Sequence, residues 1–289
     1  GWDVALMVFV FIISSLSPGD LFPKAIYRGL IQPYALKALP VSICTHTCIN
    51  APLKDGGSEA DMRLSAEGIS RTYFRNGRGT NFFYAVEKTD LSAQGGELVE
   101  IIGRSGSGKT TLINMLGGLL TPTEGRVLLD GEDLYSLGDD RRSELRNRSI
   151  GIIPQGQTGL ASLTVMENVL APVAMYGGLT PKEDRARELL EMMDISGLED
   201  VYSNELSGGE LRRMAVARAL INDPEIIIAD EPTGDLDDEA TEMVLKLLKA
   251  YAEKGACVIM VTHERGALDY ADRVYRMEKG VLTPESGAG

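Results

Sequence analysis

Three runs of residues in this chain have types and spacings that could do chemistry. Gly103-Arg104-Ser105-Gly106-Ser107-Gly108-Lys109-Thr110-Thr111 fits the pattern G-x-x-x-x-G-K-[ST], in which glycines let successive backbone N–H groups curl inward around phosphate oxygens. Lys109 would place a cation on the outer phosphates, and Thr110 a hydroxyl on Mg2+. The second run, Ile226-Ile227-Ile228-Ala229-Asp230-Glu231, is an apolar stretch ending in two acids. At the carboxyl end of a parallel strand, side chains face the ligand crevice, so Asp230 would reach Mg2+ while Glu231 polarises an attacking water. Such a run is common by itself and gains weight beside a phosphate loop. The third run is Leu206-Ser207-Gly208-Gly209-Glu210; taken alone, it reads as an N-cap with a flexible entry.

Elements must hold these runs in place. Leu98–Ile102, Ile226–Ala229 and Cys257–Val261 are short, nearly continuous apolar stretches, as expected for parallel strands buried on both faces. The phosphate loop directly follows the first of them, and a helical pattern follows the loop. Ala186, Leu189, Leu190 and Met193 keep the i, i+3, i+4, i+7 spacing of an amphipathic helix, as do Val244, Leu247, Leu248 and Tyr251. Leu211, Met214, Ala215 and Arg218 mark a further helix behind Ser207. Met192 and Met193 are accordingly expected to be packing residues. Strands alternating with helices predict a layered α/β fold.

Composition narrows the classes. The 289 residues are 44% hydrophobic and 25% charged, ordinary globular statistics that exclude wholesale disorder, collagen-like repetition and a disulfide-built miniprotein. Lys and Arg total 29 against 42 Asp and Glu, a net charge of −13. No nucleic-acid partner is expected of so acidic a chain. Cys44, Cys48 and Cys257 lack a disulfide spacing, which suits a reducing compartment. The most apolar run, Val4–Ile13, falls short of the roughly 18 residues a membrane span needs. Residues 1–60 are sparsely charged and broken by Pro18, Pro23, Pro33, Pro40 and Pro52, so they are expected to be a poorly ordered N-terminal extension preceding one domain over 61–289. Cys44, His46 and Cys48 offer zinc no fourth ligand nearby. The acidic run from Asp235 to Glu239 lacks the calcium-loop pattern, and Asp238 and Glu239 fit a solvated helix start.

As a set, the three runs resemble the ATP-binding cassette (ABC) family, whose signature is LSGGE. Other motifs follow in family order: Gln155 at the place of the glutamine loop, Gly234-Asp235-Leu236-Asp237 at the D-loop, and Thr262-His263-Glu264 at the switch histidine. The resemblance covers about Met62 to Leu282. Leu116-Gly117-Gly118-Leu119, Thr164-Val165-Met166-Glu167-Asn168-Val169 and Ala229-Asp230-Glu231-Pro232-Thr233-Gly234 look like the lipoprotein-release and macrolide-export branch. Thr111 replaces a frequent serine, Pro154 stands where a bulky residue is common, and residues 1–60 have no counterpart; none of these removes a chemical group.

The resemblance implies a P-loop NTPase of ABC type with a parallel core sheet, an antiparallel β subdomain and an α-helical subdomain over about 156–206. It implies ATP and Mg2+ on Gly103 to Thr111, with Thr110, Gln155 and Asp230 toward the metal. By that resemblance Glu231 would orient or deprotonate the attacking water, His263 would contact the γ-phosphate and Gln155 would sense it. It further implies a head-to-tail dimer in which Leu206, Ser207, Gly208, Gly209 and Glu210 of one chain complete the other chain's site, with Asp237 in the D-loop. Membrane permease subunits are the implied partners, which places the chain in the cytoplasm, peripheral on the inner face of the cell membrane. An adenine-stacking aromatic is implied at Tyr73; stacking needs only a π face, so Phe74 or Tyr84 could serve instead. Export is the direction this branch suggests. The rivals are a cell-division or regulatory ABC ATPase doing mechanical work, and a soluble ABC protein acting on ribosomes or DNA. The second rival fits poorly, because the chain holds one phosphate loop and Leu206 follows Lys109 by only 97 residues.

Overall fold

The computed structural model describes residues 63–75, 81–156, 158–176, 182–263 and 265–285; the expectations for residues 1–60, including Val4–Ile13 and the Cys44/His46/Cys48 group, lie outside them. Two sheets carry the fold. Strands β1 (Leu64–Arg75), β2 (Asn81–Ala93), β4 (Glu124–Leu129) and β5 (Glu132–Asp133) form an antiparallel sheet in the order β2-β1-β4-β5. Strands β3 (Leu98–Ile102), β6 (Ile150–Ile153), β7 (Ile226–Asp230), β8 (Cys257–Val261), β9 (Arg273–Glu278) and β10 (Val281–Pro284) form the second sheet, in the order β10-β9-β3-β8-β7-β6. In it β9, β3, β8, β7 and β6 run parallel, and β10 returns antiparallel along the edge.

The parallel register explains the apolar runs. Leu98 pairs with Val258, Ile227 also pairs with Val258, and Ile150 with Ile226, so β7 and β8 have neighbours on both sides and their five residues each are all buried. Side chains still alternate between faces. Val99, Ile101, Ile226, Ile228, Ile259 and Val261 join a core with the antiparallel sheet and α1 (Lys109–Leu116). Leu98, Ile227, Ala229, Val258 and Met260 join the opposite core. Beyond α2 (Asp139–Ser149), that core takes in α3 (Val165–Met175), α4 (Glu183–Met192), α5 (Gly208–Leu220) and α6 (Asp238–Glu253). No helix among the described residues is long and apolar enough to cross a membrane.

The helical region between β6 and α5 is fixed by caps. Thr164 caps α3 in a capping box with Glu167, each side chain bonded to the other's backbone N–H. Asn168, fully buried, accepts from Leu160 N at 2.7 Å and lies within 3.1 Å of the Leu160, Leu163 and Thr164 carbonyls through its amide nitrogen. One side chain thus satisfies the turn that follows Gln155. Ala186, Leu189, Leu190 and Met193 are buried as their spacing predicts, and so are Val244, Leu248 and Tyr251, with Leu247 half-buried. Met192 corrects the expectation: it is 46% exposed, because one residue is about 100° of helix and carries the side chain off the stripe that Met193 occupies.

Glu100 breaks the apolar run of β3. It lies in phase with Leu98, beside Met260, fully buried, and neither carboxylate oxygen has a hydrogen-bond partner. Burial pushes its pKa from 4.5 up to about 7, since an unpaired charge in an apolar core is costly. An unfolded chain ionises this group near pH 4.5 and the folded chain only near 7, so its contribution to stability is complete below 4.5 and is lost as the pH rises through 7. Glu100→Met, similar in volume and apolar, should therefore stabilise the protein more at pH 8.5 than at pH 5.5, by a difference of about 2 kcal/mol. Urea unfolding of both proteins at the two pH values measures it; equal gains would show that Glu100 does not titrate in the core.

Candidate functional site

Each of the nucleotide-directed motifs stands at the carboxyl end of a parallel strand. Gly103 follows β3, Gln155 follows β6, Asp230 closes β7 with Glu231 next, and His263 follows β8 by one residue. Because β8 lies between β3 and β7, residues far apart in sequence share one edge, where ligands bind in such sheets.

The loop after β3 is tight enough to demand its glycines. A Cβ on Gly103 would lie 2.3 Å from Met277 O, and one on Gly108 2.1 Å from Ala85 O; Gly108 also takes a φ of 109°. Gly108 is the N-cap of α1, so the helix's free N–H groups open onto the loop. Lys109 is 7% exposed, and its Nζ spans the loop, donating to Gly103 O at 2.7 Å and Arg104 O at 3.1 Å. Arg104, Ser105 and Gly106 are exposed at its mouth.

Across the loop, Thr110 and Asp230 line the same cavity. Burial raises the Asp230 pKa, Thr110 opposes that rise, neighbouring Glu231 adds to it, and Lys109 and Arg212 oppose it. Glu231 adopts a left-handed φ of 49°, uncommon for a side-chain-bearing residue and a form of local strain. The turn is held by Glu231 N donating to Val261 O at 2.7 Å and Gly234 N donating to Glu231 O at 3.1 Å. Glu231 Oε1 then lies 3.3 Å from Nδ1 of His263. Gln155 is exposed and lines a cavity of about 300 Å3 with Thr110, Asn114, Pro154 and Asp230. Glu231 and His263 are thus brought together, as are Thr110, Asp230 and Lys109.

Ser207, Gly208, Gly209 and Glu210 open α5, and Leu206 is the residue before the cap. The N-cap reading of Ser207 describes what this chain does by itself: Ser207 Oγ donates to Glu210 at 2.7 Å, and Glu210 reaches back to Ser207 N at 2.7 Å. That hydrogen bonding lowers the Glu210 pKa. Asp237 caps α6, accepting from Ala240 N at 2.8 Å, with Asp238 and Glu239 exposed in its first turn. Tyr73 stacks on Phe83 at 5.8 Å and lies under the Arg71 guanidinium, whereas Phe74 and Tyr84 are 83% and 50% exposed. Arg212, on α5, which nothing in the sequence analysis singled out, reaches this site through Pro154 O and Gly234 O.

The residues fit a magnesium nucleotide. A Cβ-free cradle and a helix N-terminus suit phosphates, and Thr110 and Asp230 supply the hard oxygen donors that Mg2+ prefers. Gly108→Ala should combine a backbone clash with a strained φ, costing more than about 2 kcal/mol and distorting the cradle. Thermal unfolding and fluorescent-nucleotide titration test this; wild-type values for both would mean the loop is looser than its geometry implies.

Comparison with known proteins agrees with this geometry. Residues 86–234 match the family model described as ABC transporter. The lipoprotein-releasing system ATP-binding protein LolD of Chromohalobacter salexigens is 38% identical over 228 residues, covering 78% of this chain and 95% of that protein. The macrolide export ATP-binding/permease protein MacB of Syntrophobacter fumaroxidans is 42% identical over 202 residues, which span 68% of this chain and 28% of that longer protein. A dimeric ATP-binding cassette solved with ADP and phosphate superposes with a TM-score of 0.71 at 34% identity, covering 78% of this chain and 99% of that one. The phosphate loop, the acid pair and the signature helix thus sit on the parallel sheet of a P-loop NTPase, and the chain belongs to the ABC transporter family as an ATP-hydrolysing cassette.

Proposed function

We propose that this chain binds MgATP, pairs head to tail with a second copy and drives a separate membrane permease, in the service of export. The observation that carries the reading is the placement of Asp230, Glu231 and His263 at the ends of β7 and β8, with Glu231 3.3 Å from His263 and Lys109 bonded to Gly103 O just past β3. The N–H groups of the Gly103–Thr111 loop and the Lys109 ammonium hold the phosphates. Thr110, Asp230 and Gln155 hold the metal, which when bound neutralises charge on the outer phosphates. Glu231 accepts a proton from water, and His263 steadies the carboxylate and contacts the γ-phosphate. Ser207 and Gly209 donate across the dimer to the partner's nucleotide. Tyr73 stacks on adenine, and Asp237 lies in the D-loop at the interface. The relatives' names, a lipoprotein-releasing system and a macrolide export protein, support a permease partner and a position on the inner membrane face. Residues 61–289 act as the cassette and 1–60 as an extension outside it.

Lys109→Ala should weaken ATP binding about 10- to 100-fold by removing a charge-assisted contact, read by nucleotide titration. Glu231→Gln should bind ATP normally and lower turnover by about 100- to 10,000-fold, because an amide cannot accept the proton. Near-normal turnover would assign the base elsewhere. The dimer is tested by mixing Ser207→Arg with Lys109→Ala chains. One composite site collects both lesions and the other keeps an intact loop facing an intact signature, so the mixture should form ATP-dependent dimers that neither parent forms. No such dimers, where wild type forms them, would end the trans-signature reading. Co-purification with a permease tests the coupling, and a partner found to carry a large extracytoplasmic domain would favour mechanical work or export from the outer leaflet.

A further inference from the structure

Arg212 is a cation that the nucleotide chemistry above leaves without a role. It lies on α5 five residues after Ser207 and is only 4% exposed. Its Nη1 donates to Pro154 O at 2.7 Å, the carbonyl immediately before Gln155. Its Nε donates to Gly234 O at 3.4 Å, in the segment joining Glu231 to Asp237. Asp235, Glu231 and Asp230 are the charges that favour its cationic form against the burial that opposes it. A guanidinium is a rigid fork whose donors point in fixed directions, so it can fix two carbonyls from different loops relative to one another. Arg218, farther along α5, donates to Thr158 Oγ1 at 2.9 Å and fastens the segment after Gln155 to the same helix.

We propose that Arg212 is a positioning residue for ATP hydrolysis, its guanidinium joining the signature helix, the Gln155 segment and the Glu231–Asp237 segment so that the three shift as one unit. A displacement of Ser207 at a dimer interface then reaches Gln155 and Glu231 through two hydrogen bonds rather than through soft apolar packing. Without the cation, Asp230, Glu231 and Asp235 also lose a balancing charge. The proposal rests on the nucleotide-site reading of Gln155, Glu231 and Ser207.

The test uses full-length Arg212→Met, which keeps the aliphatic stem without charge or donors, and Arg212→Lys, which keeps the charge. Arg212→Met should lower kcat by about tenfold or more while the Kd for a fluorescent ATP analogue stays within about threefold. In a Glu231→Gln background it should raise the ATP concentration needed for dimerisation by about fivefold or more. Arg212→Lys should recover kcat to within about threefold of wild type. If Arg212→Met is insoluble, Arg212→Gln takes its place under the same expectations. The proposal is overturned if kcat and the dimerisation midpoint stay within about twofold of wild type, if nucleotide Kd worsens as much as kcat, or if Lys is no better than Met. Glu231→Gln alone separates the two ideas. If it is inactive while Arg212→Met is normal, only the Arg212 proposal falls; if it hydrolyses ATP normally, the site reading fails and takes the proposal with it.

Discussion

Parallel pairing of β3, β8, β7 and β6 is the constraint on which the rest of this molecule depends. A parallel ladder aligns the carboxyl ends of its strands, and the register that places Ile101 against Val261 and Val261 against Asp230 sets the phosphate loop, His263 and the acid pair on one edge. Burial on both faces locks that register, since a slip of one residue would exchange the two cores on either side of the sheet. The positions of the candidate site residues are thus set by apolar contacts within the sheet and its two cores.

Charge at this edge is concentrated and balanced. Asp230, Glu231 and Asp235 stand within one turn of chain, two of them adjacent and all acting on Arg212. Lys109, from the phosphate loop, and Arg212, from α5, both offset the charge on Asp230. Left-handed backbone at Glu231 and Asp235 bends the chain sharply after β7. Such conformations persist only where surroundings over-determine them, and here the Glu231 N–H is tied to β8 while Gly234 closes the turn.

Capping residues at helix starts have a double character. Ser207 and Asp237 satisfy backbone donors of α5 and α6, and the same helix starts leave further N–H groups and a positive dipole end open to an anionic group. Glu210 holds the Ser207 side chain in place. A helix start held in this way is pre-formed in the single chain, so little conformational freedom remains to be lost there on binding a ligand.

The sequence by itself determined the chemistry and the class of fold. A glycine-rich loop, a strand ending in acids and a signature at fixed order require few alternatives, because each depends on local backbone geometry: φ at Gly108, the helix N-terminus at Lys109, the strand run before Asp230. Apolar periodicity located the strands and most helix faces for the same reason. Tertiary structure alone decided what depends on partners distant in sequence. Arg212 acquires its environment only in the fold, where Pro154 and Gly234, 58 and 22 residues away, supply carbonyls for it. Glu100 sits in an apolar run that gives no sign of its fate, and only the pairing of β8 and β9 on both sides of it buries it without a partner. Met192 lies off the stripe that Ala186, Leu189, Leu190 and Met193 mark in the sequence, and its 46% exposure follows from that spacing rather than from distant partners. Local propensities and spacings are written in adjacent residues, whereas the burial and charge of a side chain are set by whatever the folded chain brings against it.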